Sequence, residues 1–510
     1  MKTKKAVMHT LQIKHLTVNH RRDLRCLIHD LSFTLREHDK AAIIGEEGNG
    51  KSTLLRLICD PSQVENYCEY SGEIIRPGSI GYLEQEMPKE KAGLTAYEFF
   101  CSVPEFYDRT PGELIRAAQK LGLADDIYYS SQTLGTFSGG ENVKLRLLAL
   151  AIRQPDILLL DEPSNDLDIP TLEWLERFIN ESDVPVLFIS HDETLLENTA
   201  NVIIHLEQVH RKTIALCSVT RCGYREYIER REASRAHQTQ MARKEQAEYE
   251  KQQEKFRRIQ SRVEHEQNAI SRSDPHGGRL LKKKMAAVKS MERRFEREHS
   301  EMTRLPETED EIFVRFSPEI SSSRGKTVLD LRLDALANEG GVLAKGIDLH
   351  ISGGEKMCIV GRNGAGKTTL LRLIAEKLLH RADVKAAYMP QNYAERMDMS
   401  LTPVEFLSRT GDKEELTAIR TYLGSMRYTA AETEHAISAL SGGQKAKLFF
   451  IAMNLDRCDV LILDEPTRNF SPLSGPVIRN ALKEYGGTII SVSHDRKFIE
   501  EVCDRVFLIG

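Results

Sequence analysis

The sequence has little of what membrane proteins, secreted proteins and proteins with zinc or iron–sulfur sites need. No apolar run approaches the roughly 18 residues of a membrane helix, and lysines and histidines interrupt the first 20 residues. We therefore expect neither a membrane span nor a secretory signal. The nine cysteines are scattered without a C-x-x-C pair, which argues for reduced thiols and against a zinc or iron–sulfur site. These absences predict a cytoplasmic protein with no membrane partner.

Length and composition predict several globular domains. At roughly 100 to 200 residues per domain, a chain of 510 residues with 40% hydrophobic content is expected to form about three units. We place them at residues 1–222, 223–310 and 311–510, because the middle stretch is poor in glycine and dense in charge. The outer two stretches contain the motifs described next.

The chain carries one set of motifs twice. Gly45–Ser52 and Gly361–Thr368 both fit GxxxxGK(S/T), and each is followed by a Ser-Gly-Gly element, an Asp-Glu-Pro element and a Ser-His-Asp element. The interval from Ser138 to Asp161 is 23 residues, and the second half repeats it. Chance does not reproduce such intervals, so two equivalent sites are expected.

The glycine-rich elements have the setting of a P-loop. A short apolar strand precedes each one and a helix follows, so backbone amides and the helix N-terminus can surround phosphate oxygens. Each lysine adds a positive charge for the β- and γ-phosphates of ATP, and each Ser or Thr hydroxyl is a ligand for Mg²⁺. The predicted ATP-binding residues are Gly45, Gly48, Asn49, Gly50, Lys51, Ser52 and Thr53 in the first half, and Gly361, Asn363, Gly364, Gly366, Lys367, Thr368 and Thr369 in the second.

Two acidic strands strengthen this interpretation. Apolar runs typical of buried parallel strands end in Asp161-Glu162 and Asp464-Glu465. Buried carboxylates need a partner. We predict that the aspartates serve Mg²⁺ and that Glu162 and Glu465 orient the attacking water in hydrolysis.

The Ser-Gly-Gly elements allow two interpretations. Ser138 with Glu141, and Ser441 with Gln444, match the capping box that begins many helices. Taken alone, the match favours a cap. The paired glycines and the fixed interval to the acidic strand favour a more specific role, because Leu440–Gln444 reads Leu-Ser-Gly-Gly-Gln, the signature of ATP-binding-cassette proteins. The chain resembles that family from near its start to its end.

The resemblance implies a head-to-tail pair of cassettes with two ATP molecules between them. Lys51 would face Ser441, and Lys367 would face Ser138. Further residues then acquire roles: Gln85 and Gln391 would bridge Mg²⁺ and water, and His191 and His494 would sense the γ-phosphate. The signature residues expected to contact nucleotide are Ser138, Gly139, Gly140 and Glu141 in the first half, and Ser441, Gly442, Gly443 and Gln444 in the second.

The two halves also differ. The loop after the first acidic pair ends in Asp168, as is usual in the family, whereas Ser471 takes the same place in the second half. Unequal hydrolysis rates are therefore expected. Neither half offers a convincing aromatic residue to stack on adenine.

The stretch between the cassettes predicts a helical hairpin. Tyr249, Phe256, Val263 and Ile270 recur every seven residues, as do Leu281, Val288, Phe295 and Met302. Between these two apolar seams, Ser271–Gly278 is expected to break the helix. The predicted fold is thus α/β, with two P-loop ATP-binding-cassette domains joined by a long antiparallel α-helical hairpin linker.

The hairpin has a basic tip. Residues 272–294 hold eight Lys or Arg against two acids, although the whole chain carries a net charge of −5. A solvated coiled coil explains most charge runs. A basic excess concentrated at the end of a projection instead favours a shaped nucleic acid reached at one place.

A tandem cassette pair with a charged helical linker resembles the ABC-F class of ribosome-bound ATPases, and Thr467–Ser474 and Pro275–Lys284 resemble its antibiotic-resistance branch. That resemblance implies a monomer that binds the 70S ribosome at the tRNA exit site and reaches 23S rRNA with the linker tip. It implies protection from lincosamides, pleuromutilins and streptogramin A. A tRNA is a further candidate partner, and DNA is not expected. The alternatives are a housekeeping factor of the same class, a transporter ATPase subunit and a DNA-repair ATPase.

Overall fold

The computed structural model describes residues 10–209, 213–269, 275–301, 316, 325–338, 341–426 and 428–509. The chain divides into two compact units, one formed by Met1–Tyr224 with Glu309–Gly510 and the other by Arg225–Thr308. The first unit contains both motif-bearing halves. The second corresponds to the stretch that we expect to be the linker.

The first half is built on a mixed sheet of mostly parallel strands. Its strands are β1 (Leu11–His20), β2 (Cys26–Leu35), β3 (Lys40–Ile44), β4 (Cys68–Ile75), β5 (Ile80–Leu83), β6 (Ile157–Asp161), β7 (Val186–Ile189), β8 (Val202–Val209) and β9 (Ile214–Thr220). The central sheet has the order β5-β6-β7-β3-β8-β9 and is parallel except at β9, while β2-β1-β4 form a separate antiparallel sheet. Its helices are α1 (Lys51–Cys59), α2 (Lys89–Ala92), α3 (Ala96–Cys101), α4 (Pro111–Lys120), α5 (Gly139–Arg153), α6 (Ile169–Asn180) and α7 (Glu193–Thr199).

The linker unit consists of two helices. They are α8 (Tyr224–Ala269) and α9 (Pro275–Glu301). The helix α8 is about 70 Å long at about 1.5 Å per residue. Phe256 packs edge-to-face on Phe295 with ring centroids 5.4 Å apart, and Val263 and Val288 are buried in the same cluster. These contacts join the two predicted apolar seams as an antiparallel pair.

The helix break predicted for Ser271–Gly278 extends too far toward the C-terminus, because a helix already begins at Pro275. Gly277 and Gly278 lie inside α9, which begins at Pro275. Proline is favoured at the first position of a helix, where no intrahelical amide bond is lost, so Pro275 begins the helix and the glycines that follow are carried within it. Residues 271–274 lie outside the described residues.

The second half repeats the plan. Its strands are β10 (Thr327–Asn338), β11 (Gly341–Ser352), β12 (Lys356–Val360), β13 (Ala386–Met389), β14 (Val460–Asp464), β15 (Thr488–Val492) and β16 (Arg505–Leu508). The sheet β13-β14-β15-β12-β16 is parallel throughout, and β10 pairs with β11 as an antiparallel hairpin. Its helices are α10 (Lys367–Leu379), α11 (Pro403–Leu407), α12 (Lys413–Ser425), α13 (Ala430–Glu434), α14 (Gly442–Leu455), α15 (Gly475–Glu484) and α16 (Arg496–Val502).

The parallel strands are the centre of each half. Every residue of β3, β6, β7, β14 and β15 is buried, as expected for strands covered on both faces. The α/β fold with two P-loop domains, predicted from these apolar runs, is confirmed. Among the described helices, none has both the length and the apolar character needed to cross a membrane.

Two ion pairs join the halves at equivalent places of the internal repeat. Arg479 of α15 contacts Glu193 of α7 at 2.6 Å, and the two side chains are 3% and 8% exposed. Arg496 of α16 contacts Glu176 of α6. The repeat that aligns Asp161 with Asp464 also aligns Glu176 with Arg479 and Glu193 with Arg496. The first half thus supplies an acid at both positions, and the second half supplies an arginine at both.

Candidate functional site

Each P-loop curls around its own lysine. Lys51 Nζ donates to the carbonyl oxygens of Gly45 at 2.7 Å and Glu46 at 3.0 Å. Lys367 makes the same two contacts in the second half, each at 2.9 Å. The ammonium groups therefore lie within the loops, where the P-loop interpretation places the ATP phosphates.

Glycine is required where these loops turn into helices. Gly50 and Gly366 precede α1 and α10 with φ of 89° and 91°, a conformation that residues with a side chain rarely adopt. A Cβ on Gly45 would lie 2.1 Å from the carbonyl oxygen of Leu206. The side chain of Asn49 donates to that same oxygen at 2.9 Å. Asn49, predicted as an ATP-binding residue, thus uses its amide group to hold the loop against β8.

In the first site Asp161 is hydrogen-bonded by two hydroxyl groups. Ser52 Oγ donates to one carboxylate oxygen at 2.9 Å and Tyr82 OH to the other at 3.2 Å. Burial raises the pKa of Asp161, and the Ser52 hydrogen bond opposes that effect. Asp161 and Ser52, both predicted Mg²⁺ residues, are therefore brought into direct contact.

Glu162 is held from three sides. His191 Nε2 lies 3.3 Å from one carboxylate oxygen, Gln85 Nε2 donates to the other at 3.0 Å, and the amide of Asn165 also donates to it. The Nδ1 of His191 donates to the carbonyl oxygen of Phe470 in the other half at 2.8 Å. Burial opposes ionisation of Glu162, but the contact with His191, the charge of Lys51 and the hydrogen bond from Asn165 together outweigh it and lower the pKa of Glu162 to about 2. Glu162 is an anion at neutral pH.

Glu465 in the second site has a different environment. It accepts from the backbone amide of His494 at 3.2 Å, whereas the ring Nε2 of His494 is 3.8 Å away. Burial raises the pKa of Glu465 to about 8. Burial, together with the charge of Lys367, lowers the pKa of His494 to about 4. At neutral pH most Glu465 is protonated and His494 is neutral.

The residues around the second P-loop fit a magnesium ion. Both carboxylate oxygens of Asp464 are buried with no hydrogen-bond partner among the described residues. Burial raises the pKa of Asp464 to about 6. Asp464, Thr368 and Gln391 line one cavity. Oxygen ligands of this kind suit Mg²⁺ completed by phosphate oxygens, and the bound ion would neutralise phosphate charge during hydrolysis.

The two signature serines form the capping boxes that their sequence allows. Ser138 Oγ accepts from the amide of Glu141 at 3.3 Å, and Glu141 accepts from the amide of Ser138 at 3.0 Å. Ser441 and Gln444 make the reciprocal pair at 3.3 and 2.9 Å. Ser138 is the N-cap residue of α5 and Ser441 is that of α14, so both serines cap a helix in addition to any further role.

The structure brings each signature to the opposite P-loop. A cavity of about 800 Å³ is lined by Ser138, Gly139 and Glu141 of the first half and by Lys367 and Thr368 of the second. A smaller cavity of about 440 Å³ is lined by Lys51 and Ser52 with Arg468 and Asn469. The amide of Gly443, in the second signature, donates to Glu47 of the first P-loop at 3.1 Å. This arrangement is head to tail.

The loop that follows the first acidic strand contacts the second P-loop. The amide nitrogen of Asn363 donates to Asp168 at 3.3 Å, and its side chain donates to the carbonyl oxygen of Asp166 at 2.6 Å. The carboxylate of Asp166 accepts from Arg468 at 2.8 Å and from Gln391 at 3.3 Å. Asp168 also caps α6. This loop is therefore hydrogen-bonded to three separate segments of the second half, those of Asn363, Gln391 and Arg468.

Sequence reasoning missed four residues that line the smaller cavity. His20, Arg25, Leu27 and Tyr67 line it together with the P-loop. His20 ends β1 and its Nδ1 lies 2.7 Å from Asp23, while Arg25 comes just before β2. In the sequence, His20 and Arg25 are recognisable only as parts of a polar turn between two strands. This turn lies far from any motif, so a search by motif does not find them.

Residues 28–165 and 344–468 match a family model described as ABC transporter, and together they cover more than half of the chain. The protein therefore belongs to the ABC transporter family and contains two of its ATP-binding domains. These domains are ATPases, so the chain is an enzyme that hydrolyses ATP.

Several relatives are similar to this protein over nearly the whole chain. The chain is 28% identical to ABC transporter F family member 2 of Arabidopsis thaliana, over 94% of this chain and 74% of the relative. It is 29% identical to Ribosome protection protein VmlR of Bacillus subtilis, over 94% and 83%. A crystal structure of the archaeal ribosome recycling factor aABCE1 with the stalk protein aP1 covers 97% of this chain and 87% of that one, with a TM-score of 0.58. At 18% identity, that likeness shows the fold.

Proposed function

We propose that this ATPase is a cytoplasmic translation factor that binds the 70S ribosome at the tRNA exit site and protects the peptidyl-transferase centre. The drugs countered would be lincosamides, pleuromutilins and streptogramin A. ATP and Mg²⁺ would close the two cassettes of one chain on each other, and hydrolysis would release the ribosome. The predicted site residues would carry these steps in the roles assigned above.

The observation that carries the proposal is the basic end of a long hairpin. The helices α8 and α9 pack as an antiparallel pair, and Lys282, Lys283 and Lys284 near the start of α9 are exposed. Positive charge at one end of such a hairpin suits phosphates of a folded RNA. The name of the relative VmlR, Ribosome protection protein, supports the same assignment.

Two other functions are outcomes of the tests. A housekeeping factor of the F class would bind ribosomes without conferring drug resistance. The ATPase subunit of a transporter would need a separate membrane protein, and the hairpin would have no evident purpose in it.

The first experiment is a trap. The double variant E162Q/E465Q should bind ATP without turning it over, because the P-loops are intact and both water-orienting carboxylates are gone. We expect it to accumulate on 70S ribosomes in a sucrose gradient when ATP is present. Sedimentation with membranes, or turnover at the wild-type rate, would refute the proposal.

The second experiment asks whether the basic residues contact RNA. Neutralising Lys282, Lys283 and Lys284 should weaken ribosome pelleting and reduce its log–log salt slope by about 0.7 to 0.9 per lost phosphate contact. The matched control neutralises three exposed lysines of α8: Lys244, Lys251 and Lys255. The control should pellet like the wild type. If both triple variants weakened ribosome pelleting equally, the lysines of α9 would contribute no more to binding than other exposed lysines, and the proposed RNA contact would be wrong.

The third experiment measures protection. A drug-sensitive bacterium expressing the wild-type protein should grow at higher concentrations of at least one of the three drug classes. Variants altered from Ser271 to Leu281 should lose that protection while ATP hydrolysis stays intact. Absence of protection by the wild type would favour the housekeeping factor, and full protection by the tip variants would make the hairpin a spacer.

A further inference from the structure

The first P-loop carries two carboxylates that the second lacks. Glu46 and Glu47 stand where the second P-loop has Arg362 and Asn363. Both acids reach the opposite half of the molecule. Glu47 accepts from the amide of Gly443, as described above, and Glu46 contacts the loop that follows the second acidic strand.

Two buried serines donate to Glu46. Ser471 Oγ lies 2.7 Å from Glu46 Oε1, and Ser474 Oγ contacts the same oxygen. The two serines are 1% and 0% exposed and also contact each other at 3.1 Å. Hydrogen bonds to an ionised acceptor are roughly twice as strong as those between neutral groups. Glu46 is thus held at the interface by a site that fits a carboxylate.

The charge of Glu46 is supported from the second half. Burial opposes its ionisation, but Lys447 of α14 and the two serine hydroxyls lower the pKa of Glu46 below its usual value. Lys447 itself is 9% exposed. The cluster therefore combines one anion with a buried cation and two hydroxyl donors.

The equivalent interface at the other site has the opposite arrangement. There the loop contributes the carboxylate, Asp168, and the P-loop contributes the donor, the amide of Asn363. At the first site the loop residue is Ser471, which is a donor, and the P-loop residue Glu46 is the acceptor. The carboxylate has changed sides, and the contact between P-loop and loop persists.

We infer that Glu46 is a positioning residue for the ATP site built on Lys51. At this interface the P-loop residue Glu46 supplies the carboxylate that Asp168 supplies at the other one and that Ser471 cannot supply. Glu46 belongs to the same loop as Lys51, so its bonds to Ser471 and Ser474 fix that loop against the opposite half. This inference requires only that the protein is an ATPase of two facing halves, and is independent of any ribosomal role.

The inference predicts that an aspartate at Ser471, the residue usual in the family, is harmful here. S471D would place two carboxylates against each other in a buried cluster, which is strongly unfavourable. S471N is the matched control, because its amide has the same size and can still donate to Glu46. E46R, which introduces the residue present at Arg362, should repair S471D by giving the new carboxylate a cationic partner.

The measurement is the Kd of the fluorescent, non-hydrolysable analogue mant-AMPPNP with Mg²⁺. All variants carry K367A, so that binding reports the site of Lys51. We expect S471D to weaken binding at least tenfold and S471N to stay within threefold of the background. E46R/S471D should bind more tightly than either E46R or S471D alone, which is the signature of direct coupling. D168S, at the other interface, should leave this Kd unchanged.

Thermal unfolding of each variant separates positioning from folding. The inference is overturned if S471D binds as tightly as S471N, or if E46R/S471D gains nothing over the single variants while all of them unfold at similar temperatures. It is also overturned if D168S weakens this site as much as S471D does, because the effect would then belong to the whole interface.

Discussion

The site built on Lys51 and the site built on Lys367 contain equivalent motifs, yet the two glutamates predicted to orient the attacking water differ in charge. Glu162 lies beside His191, accepts from Gln85 and Asn165, and is ionised. Glu465 meets mainly a backbone amide, and burial raises its pKa to about 8. Gln391, the counterpart of Gln85, is turned toward Asp166 of the other half. Equivalent motifs therefore do not determine whether the glutamate is protonated. The residues that surround the glutamate determine it.

The largest expected difference between the sites is in turnover. A positioned acid or base contributes roughly 10²- to 10⁴-fold to a rate, so E162Q should nearly abolish hydrolysis at the site of Lys51. Total ATP hydrolysis at pH 7 should fall about tenfold, because about one-tenth of Glu465 is ionised and sustains turnover at the other site. E465Q should cost less, because Glu465 is mostly protonated before the change. Phosphate release by the two single variants tests this order. Equal losses would mean that ATP and Mg²⁺ abolish the difference between the sites.

A second comparison concerns which signature serves which P-loop. S441F should weaken nucleotide binding at Lys51, and S138F should weaken it at Lys367. Overpacking costs about 1 to 3 kcal/mol, which corresponds to about 5- to 160-fold in binding. Photolabelling with an azido-ATP followed by peptide mapping identifies the affected site. If each substitution disables the P-loop of its own half, the head-to-tail assignment of roles is wrong.

The pH dependence of the single variants sharpens the contrast further. E162Q leaves Glu465 as the working carboxylate, and a pKa of about 8 means that its ionised fraction grows about tenfold from pH 7 to pH 9. The rate of E162Q should rise accordingly. E465Q depends on Glu162, with a pKa of about 2, and should be flat over the same range. Parallel profiles would contradict the difference in protonation.

The smallest expected effect is on thermal stability, and its sign differs between the sites. The folded pKa of Glu465 lies above its unfolded value, so this group lowers stability progressively as the pH rises from about 4.5 to 8. E465Q should therefore raise Tm at pH 8 relative to the wild type, by about 2 to 4 °C per kcal/mol, with little change at pH 4.

Glu162 has the opposite linkage. Its folded pKa is below the unfolded value, so its stabilising effect is present above about pH 4.5 and is lost as the pH falls toward 2. E162Q should lower Tm at pH 7. Calorimetry of both variants at pH 4, 7 and 8 checks the two signs together, and a shift of the same sign in both would refute the assignment.

The sequence predicted the fold because its signals are local. The buried strands β3, β6, β12 and β14 are apolar runs, and the P-loops follow two of them directly. The apolar seams of the linker are also periodic in the sequence, and their members Phe256 and Phe295 meet in the structure. The end of the helix break was wrong because Pro275 can begin a helix and the following glycines do not prevent it.

The contacts between the halves could not be predicted in this way. Glu46 and Ser471 are 425 residues apart, and Asp166 and Arg468 are 302 apart. No periodicity links such residues, and each is an ordinary polar residue when considered alone. The replacement of Asp168 by Ser471 was visible as an anomaly, but its partner at Glu46 emerges only when the two halves face each other.

The two ion pairs between the halves carry a consequence for partner choice. Because Glu176 and Glu193 occupy the positions that Arg479 and Arg496 occupy in the repeat, two copies of the first half would oppose acid to acid at both places. Two copies of the second half would oppose arginine to arginine. Like charges brought together out of water are strongly unfavourable. The charges of the two halves are thus complementary, and they favour pairing between unlike halves over pairing between two copies of the same half.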